Sequence, residues 1–123
     1  MNPSLFKSRT AAGVIAAYRF VKHGAADNQV AQATAGSALC GVTQQLGAGK
    51  AGDTVDIAKG GIVGIELGGP VTRGDPLTAD ANGKAVKAEP EAGANLRIGG
   101  FAEVSGIAGD IIDMEYAPGV MQG

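Results

Sequence analysis

Residues 60–86 read GGIVGIELGGPVTRGDPLTADANGKAV. Ile62, Val63, Ile65 and Leu67 form an apolar run, rich in β-branched side chains and bounded by glycine pairs, which predicts a strand. Gly68, Gly69 and Pro70 stop it: proline removes a ladder donor and glycine allows positive φ. Arg73-Gly74-Asp75-Pro76 makes a second corner, and Leu77 to Ala79 restarts as a strand. Asp80-Ala81-Asn82-Gly83 then turns the chain back into Lys84-Ala85-Val86, and Asn-Gly is among the strongest short hairpin signals. The stretch reads as scaffolding for a β domain and holds no catalytic constellation.

The same alternation of short strand and turn extends in both directions. Upstream, strands are expected over Val14 to Lys22, Asn28 to Ala33, Ala38 to Thr43 and Asp53 to Ala58, a spacing of roughly ten residues that marks all-β folds. Downstream, Leu96 to Val104 and Asp110 to Tyr116 read as strands, with Pro118 and Gly119 ending the last. No segment keeps a helical period, and at most one helical turn fits near residues 88–95. The expectation is an all-β chain: a single compact barrel or sandwich of about eight or nine short strands, with an extended N-terminal arm. The arm is residues 1–13, the β-rich domain 14–118 and the C-terminal tail 119–123. Within the arm, Leu5 and Phe6 form an apolar pair in a polar segment, a candidate docking anchor against a frayed end.

Composition narrows the function classes. A chain of 123 residues fits one domain and hides roughly two-thirds of its unfolded surface. It has 21 glycines without a Gly-X-Y period, five aromatic rings and no Trp, so its core is thin and an oligomer or assembly is expected. The net charge of −2 with no basic block argues against direct nucleic-acid binding. No apolar run approaches the roughly 18 residues of a spanning helix, so no membrane partner is expected. The N-terminal segment reads as not exported, because Tyr18-Arg19-Phe20 interrupts its apolar run. Cys40, the single cysteine, lies in an apolar run and reads as a buried thiol made in a reducing compartment.

The motifs that could carry chemistry each have a plainer reading. Gly47 to Gly52 fits G-x-G-x-x-G, but a strand-like segment follows where a dinucleotide site needs a helix. The phosphate-loop pattern fails at Gln44 and Ala51. His23 has no second histidine, which leaves no metal site, and no cofactor is expected. The carboxylate pairs Asp53/Asp56 and Asp110/Asp113 fall on opposite strand faces, and Glu89/Glu91 flank a loop proline. No nucleophile elbow surrounds Ser4, Ser8, Ser37 or Ser105. Arg73-Gly74-Asp75 matches an adhesion tripeptide but is explained as a corner. Lipoyl and biotinyl carrier domains display a lysine at a hairpin tip, but Lys84 lies beyond its turn rather than at the apex and lacks their flanking residues. No catalytic residue is named, and the chain reads as non-enzymatic.

Taken in order, these pieces resemble the capsid cement, or head decoration, proteins of tailed bacteriophages and prophages. The resemblance runs from about Phe20 to the C-terminus. It is carried by Val21-Lys22-His23-Gly24, Leu39-Cys40-Gly41-Val42-Thr43, Gly52-Asp53-Thr54-Val55-Asp56, Val71 to Thr78, Asp80 to Ala85, Ile98 to Ala102 and Gly109-Asp110-Ile111. It implies a β-rich structural protein made in the bacterial host cytoplasm and placed on the outer surface of the virion capsid. It further implies a homotrimer at three-fold and quasi-three-fold sites that bridges major capsid subunits against the pressure of packaged DNA. Leu5 and Phe6 would then contact a neighbouring subunit or the shell. The alternative is a small cellular β-barrel carrier or binding module.

Overall fold

A computed structural model of the chain describes residues 6–123. Ten strands and no helix are present among them. In chain order these are β1 (Phe6–Ala11), β2 (Phe20–His23), β3 (Gln29–Gln32), β4 (Leu39–Thr43) and β5 (Thr54–Ala58), then β6 (Ile62–Glu66), β7 (Pro76–Ala79), β8 (Ala85–Lys87), β9 (Asn95–Ala102) and β10 (Ile111–Gln122). The first five close into a barrel in the order β1-β3-β2-β4-β5, and the last five form a second sheet in the order β6-β10-β9-β7-β8. Gly60 and Gly61 lie at the crossing from one to the other, and Gly61 takes a left-handed φ of 77°.

The barrel is small because its filling is small. Ala11, Ile15, Val21, Val30, Cys40, Ala48, Val55 and Ile57 make one buried cluster. A larger cluster lies between the barrel and the second sheet. There Phe20, Val42 and Ala58 meet Val63, Ile65, Leu67, Leu77, Ala102, Ile112 and Met114. The burial alternation of β5 shows how one strand serves both clusters: Val55 and Ile57 face inward, while Ala58 belongs to the shared cluster. Phe20 is the largest fully buried side chain. Its ring lies where a Cβ on Gly99 would stand, so this glycine of β9 makes room for the fully buried aromatic of the shared core.

Three expectations are corrected. Residues 6–11, within the stretch read as an arm, form a barrel strand that pairs with β5 from Phe6↔Ala58 to Thr10↔Thr54 and with β3 at Thr10 and Ala11. Leu5 lies outside the described residues. The strand expected over Val14 to Lys22 begins only at Phe20, because Tyr18 adopts a left-handed φ of 56° that breaks the extended run. Pro118 and Gly119 do not end the last strand. A register shift between Tyr116 and Gly119 absorbs the proline as a bulge, and residues 119–122, expected as a tail, pair with β9 from Gly119↔Ile98 to Gln122↔Asn95. Near residues 88–95 the chain makes a turn rather than a helix, with Ala94 N–H donating to Glu91 O.

Candidate interaction surface

The residues with motif-like spacing turn out to be occupied in building turns and closing edges. Gly47-Ala48 sits against the barrel, where Ala48 and Ile15 exchange both backbone hydrogen bonds at 2.8 and 2.9 Å. Gln44, which stands where a phosphate loop would begin, instead clamps the backbone of β6. Its Nε2 donates to Gly64 O and its Oε1 accepts from Gly64 N–H, both at 3.0 Å. The adhesion-like tripeptide is a tight corner: Asp75 Oδ2 accepts from Thr72 N–H at 2.8 Å, and Gly74 takes a φ of 92°. Asp80 Oδ1 accepts from the N–H groups of Asn82 and Lys84, shaping the β7–β8 turn. Lys84 Nζ is 3.2 Å from Glu66 Oε2, so its amine is drawn onto the second sheet rather than displayed at a tip.

The acids are similarly employed. Asp56 accepts from Ser8 Oγ at 2.7 Å, Asp53 from Gly49 N–H and Asp110 from Ile107 N–H. His23 is exposed at the end of β2. No group of three or more His, Cys, Asp or Glu side chains could hold a metal ion among the described residues. Cys40 is buried. Burial pushes its thiol up, against the opposing pull of the Lys59 and Arg9 charges, which keeps it protonated at neutral pH. Tyr116 is pushed up to about 12, by burial first and by the neighbouring Cys40 second.

Apolar surface is also exposed among the described residues. Phe6 is half exposed, and Leu46, in the loop after β4, is 80 % exposed. The two line one groove with Gln44, Gln45, Gly47 and Thr54 to Asp56. A second patch lies on the outward face of the second sheet. Strand register sets Phe101, Glu115 and Ile62 side by side across β9, β10 and β6. Two residues along β10, Asp113 stands opposite Gly64, and two further Ile111 stands opposite Glu66. The Tyr18 ring covers Gly64 on this face, with its Cε1 3.1 Å from the place a Cβ would take. Ile111 is 54 % exposed, and Ile62 and Phe101 are each more than a third exposed. Scattered apolar residues are ordinary on a protein surface, but rows of them on a sheet face mark contact surfaces.

The sequence points to Leu5, which lies outside the described residues, and to Phe6, and it does not point to the rest. Leu46 carries no signal beyond being apolar in a loop. The row of Ile62, Phe101 and Ile111 is assembled by pairing between strands far apart in the chain, which no local pattern records.

A family model described as phage cement protein matches residues 5–115. The chain belongs to the phage cement protein family. It is therefore a structural protein associated with the phage capsid. Among curated proteins none matches. Among solved structures, the chain is similar to the crystal structure of the head fiber gp8.5 N base of bacteriophage phi29. The TM-score is 0.73 and the identity 18 %, over 94 % of this chain and 95 % of that one. At that identity the likeness speaks for the fold alone.

Proposed function

We propose that this cement protein is a non-enzymatic decoration subunit. It binds the outer surface of the head as a homotrimer at three-fold and quasi-three-fold positions, bridges neighbouring major capsid subunits and stabilises the shell against DNA pressure. The observation that carries the reading is the family match over residues 5–115. Exposed apolar residues on two faces, Phe6 with Leu46 and the row through Ile62, Phe101 and Ile111, supply surfaces of the kind such bridging needs. Small contacts suffice, because a trimer engaging three equivalent sites gains effective concentration and is held far more tightly than any one contact alone.

Leu5 and Phe6 are the proposed shell or subunit contact. The test has to spare the barrel: removing residues 1–13 would delete β1 and unzip its pairing with β5. Two variants avoid this, removal of residues 1–5 and Phe6→Ser in the full chain. Each is mixed with undecorated heads and the bound copies are counted by electron microscopy. The expected result is lower occupancy with an unchanged circular dichroism spectrum. Full decoration by both variants would remove the anchor from the reading. Native virions bare of the protein would remove the reading itself.

A further inference from the structure

Charge divides along the same line as the sheets. Residues 1–59 hold six Lys and Arg against three Asp and Glu, and residues 60–123 hold four against nine. The formal charges are +3 and −5, hidden within a whole-chain value of −2. Little of this is neutralised internally: both ion pairs among the described residues, Arg19–Glu66 and Lys84–Glu66, share one carboxylate. The unpaired charges also have places. On β1, Lys7 and Arg9 fall on the side that carries buried Ala11, and strand register sets them opposite Ile57 and Val55 of the barrel interior. Lys59 lies two residues beyond Ile57 on that side, with Nζ on Cys40 O at 2.6 Å. Register thus places Lys7 and Lys59 on the interior side at the Phe6–Ala58 end of the β1–β5 pair, the basic mouth of the barrel, with Arg9 two residues further in. On the outward face of the second sheet, Asp113 and Glu115 stand among Ile62, Phe101 and Ile111.

We propose that this outward face, built from Ile62, Phe101, Ile111, Asp113 and Glu115, is the seat for the basic barrel mouth of a second copy of the chain. Copies then join head to tail. The apolar row supplies burial, and the opposite charges supply register and exclude the face-to-face arrangements, which would set like charges against each other. A contact between two different patches is heterologous, so it closes into a ring when its rotation permits. The inference rests on the proposed homotrimer and assigns its interface.

The experiment measures the molar mass of the full chain by light scattering across a salt series. It compares the wild type with a sheet-face variant (Asp113→Lys with Glu115→Lys) and a mouth variant (Lys7→Glu with Arg9→Glu), all checked by circular dichroism. Lys7→Glu alone and Asp113→Asn with Glu115→Gln serve as milder versions should either double reversal misfold. Each reversal is expected to weaken assembly about tenfold or more. An equimolar mixture of the two reversals is expected to reassemble, since each supplies the charge the other has lost. An oligomer that ignores every one of these changes overturns this interface while leaving the homotrimer standing. A wild-type chain that stays monomeric at all concentrations overturns both.

Discussion

The barrel and the second sheet handle their edges in opposite ways. The barrel has none: β1 pairs with both β3 and β5, and every strand of the first half has two neighbours. The second sheet ends in β6 and β8, and an open edge offers its backbone groups to any passing strand. Its edges are covered from elsewhere. At β8 the Leu67–Gly68 segment closes in, with Gly68 N–H donating to Ala85 O at 2.8 Å. At β6 the cover comes from the barrel half, where Gln44 takes both backbone groups of Gly64 and Tyr18 O accepts from Glu66 N–H at 3.0 Å. The barrel is thus closed by its own pairing, whereas the sheet depends on the barrel. Tyr18 holds its left-handed φ because Gln44 O and Glu66 N–H take its two backbone groups.

The sharpest way to break that dependence is through Phe20. It stands on a barrel strand, yet its ring fills the cluster shared with the second sheet and its N–H donates to Gly83 O in the β7–β8 turn. Phe20→Ala should cost about 3–5 kcal/mol, as large-to-small changes at fully buried aromatics do. Urea unfolding followed by circular dichroism measures it. A loss below about 1 kcal/mol would mean that the halves are held mainly by their polar contacts and that the shared cluster matters little.

The edge clamp is the next test. Gln44→Ala leaves Gly64 N–H and O without their side-chain partner. Removing one partner of a largely desolvated hydrogen bond costs roughly 1–3 kcal/mol, and water at this partly exposed site will hold the figure to the lower end. The local readout is clearer than the global one. Amide exchange should accelerate at Gly64 while the barrel amides of Val21 and Val42 keep their protection. Equal acceleration in both halves would show that the barrel leans on the sheet as much as the reverse.

The division of labour between the halves was only partly legible in the sequence. Strands whose side chains alternate across a buried face, Thr54–Ala58 and Ile62–Glu66, could be read directly, as could the turn at Asp80–Gly83. Strand β1 could not, because among its side chains only Ala11 reaches the core and its place is fixed by main-chain register. The break at Tyr18 is imposed by tertiary hydrogen bonds that no local propensity encodes. Pro118, a stop signal in isolation, is tolerated because the sheet yields a bulge there. That ten-residue strand spacing would divide into two sheets was also hidden, since consecutive hairpin-like units look alike whether or not they close. The candidate surface followed the same rule: Phe6 stood out in its local segment, while the Ile62–Phe101–Ile111 row exists only after folding.

The smallest effect concerns the charged joint. Glu66 on β6 accepts from Arg19 of the barrel half at 2.8 Å and lies 3.2 Å from Lys84 Nζ in its own half. The Arg19 hydrogen bond holds its carboxyl below the ordinary value of 4.5, with burial opposing and Lys84 adding to the lowering. A depressed folded-state value means that the native state favours the ionised form. The stabilisation is therefore complete above pH 4.5 and is lost as the pH falls through the lower, folded-state value. Because the carboxylate is still partly hydrated, Glu66→Gln should cost only about 1 kcal/mol or less at pH 7. The variant should also lose less stability than the wild type on acidification, since the group that gains a proton is gone. Urea midpoints for both proteins at pH 7 and pH 3 give the comparison. Parallel losses would place the acid-sensitive contact elsewhere. A flatter curve for the variant would show that acid loosens the seam between the halves by neutralising Glu66, the carboxylate that ties the Arg19 cation to the sheet.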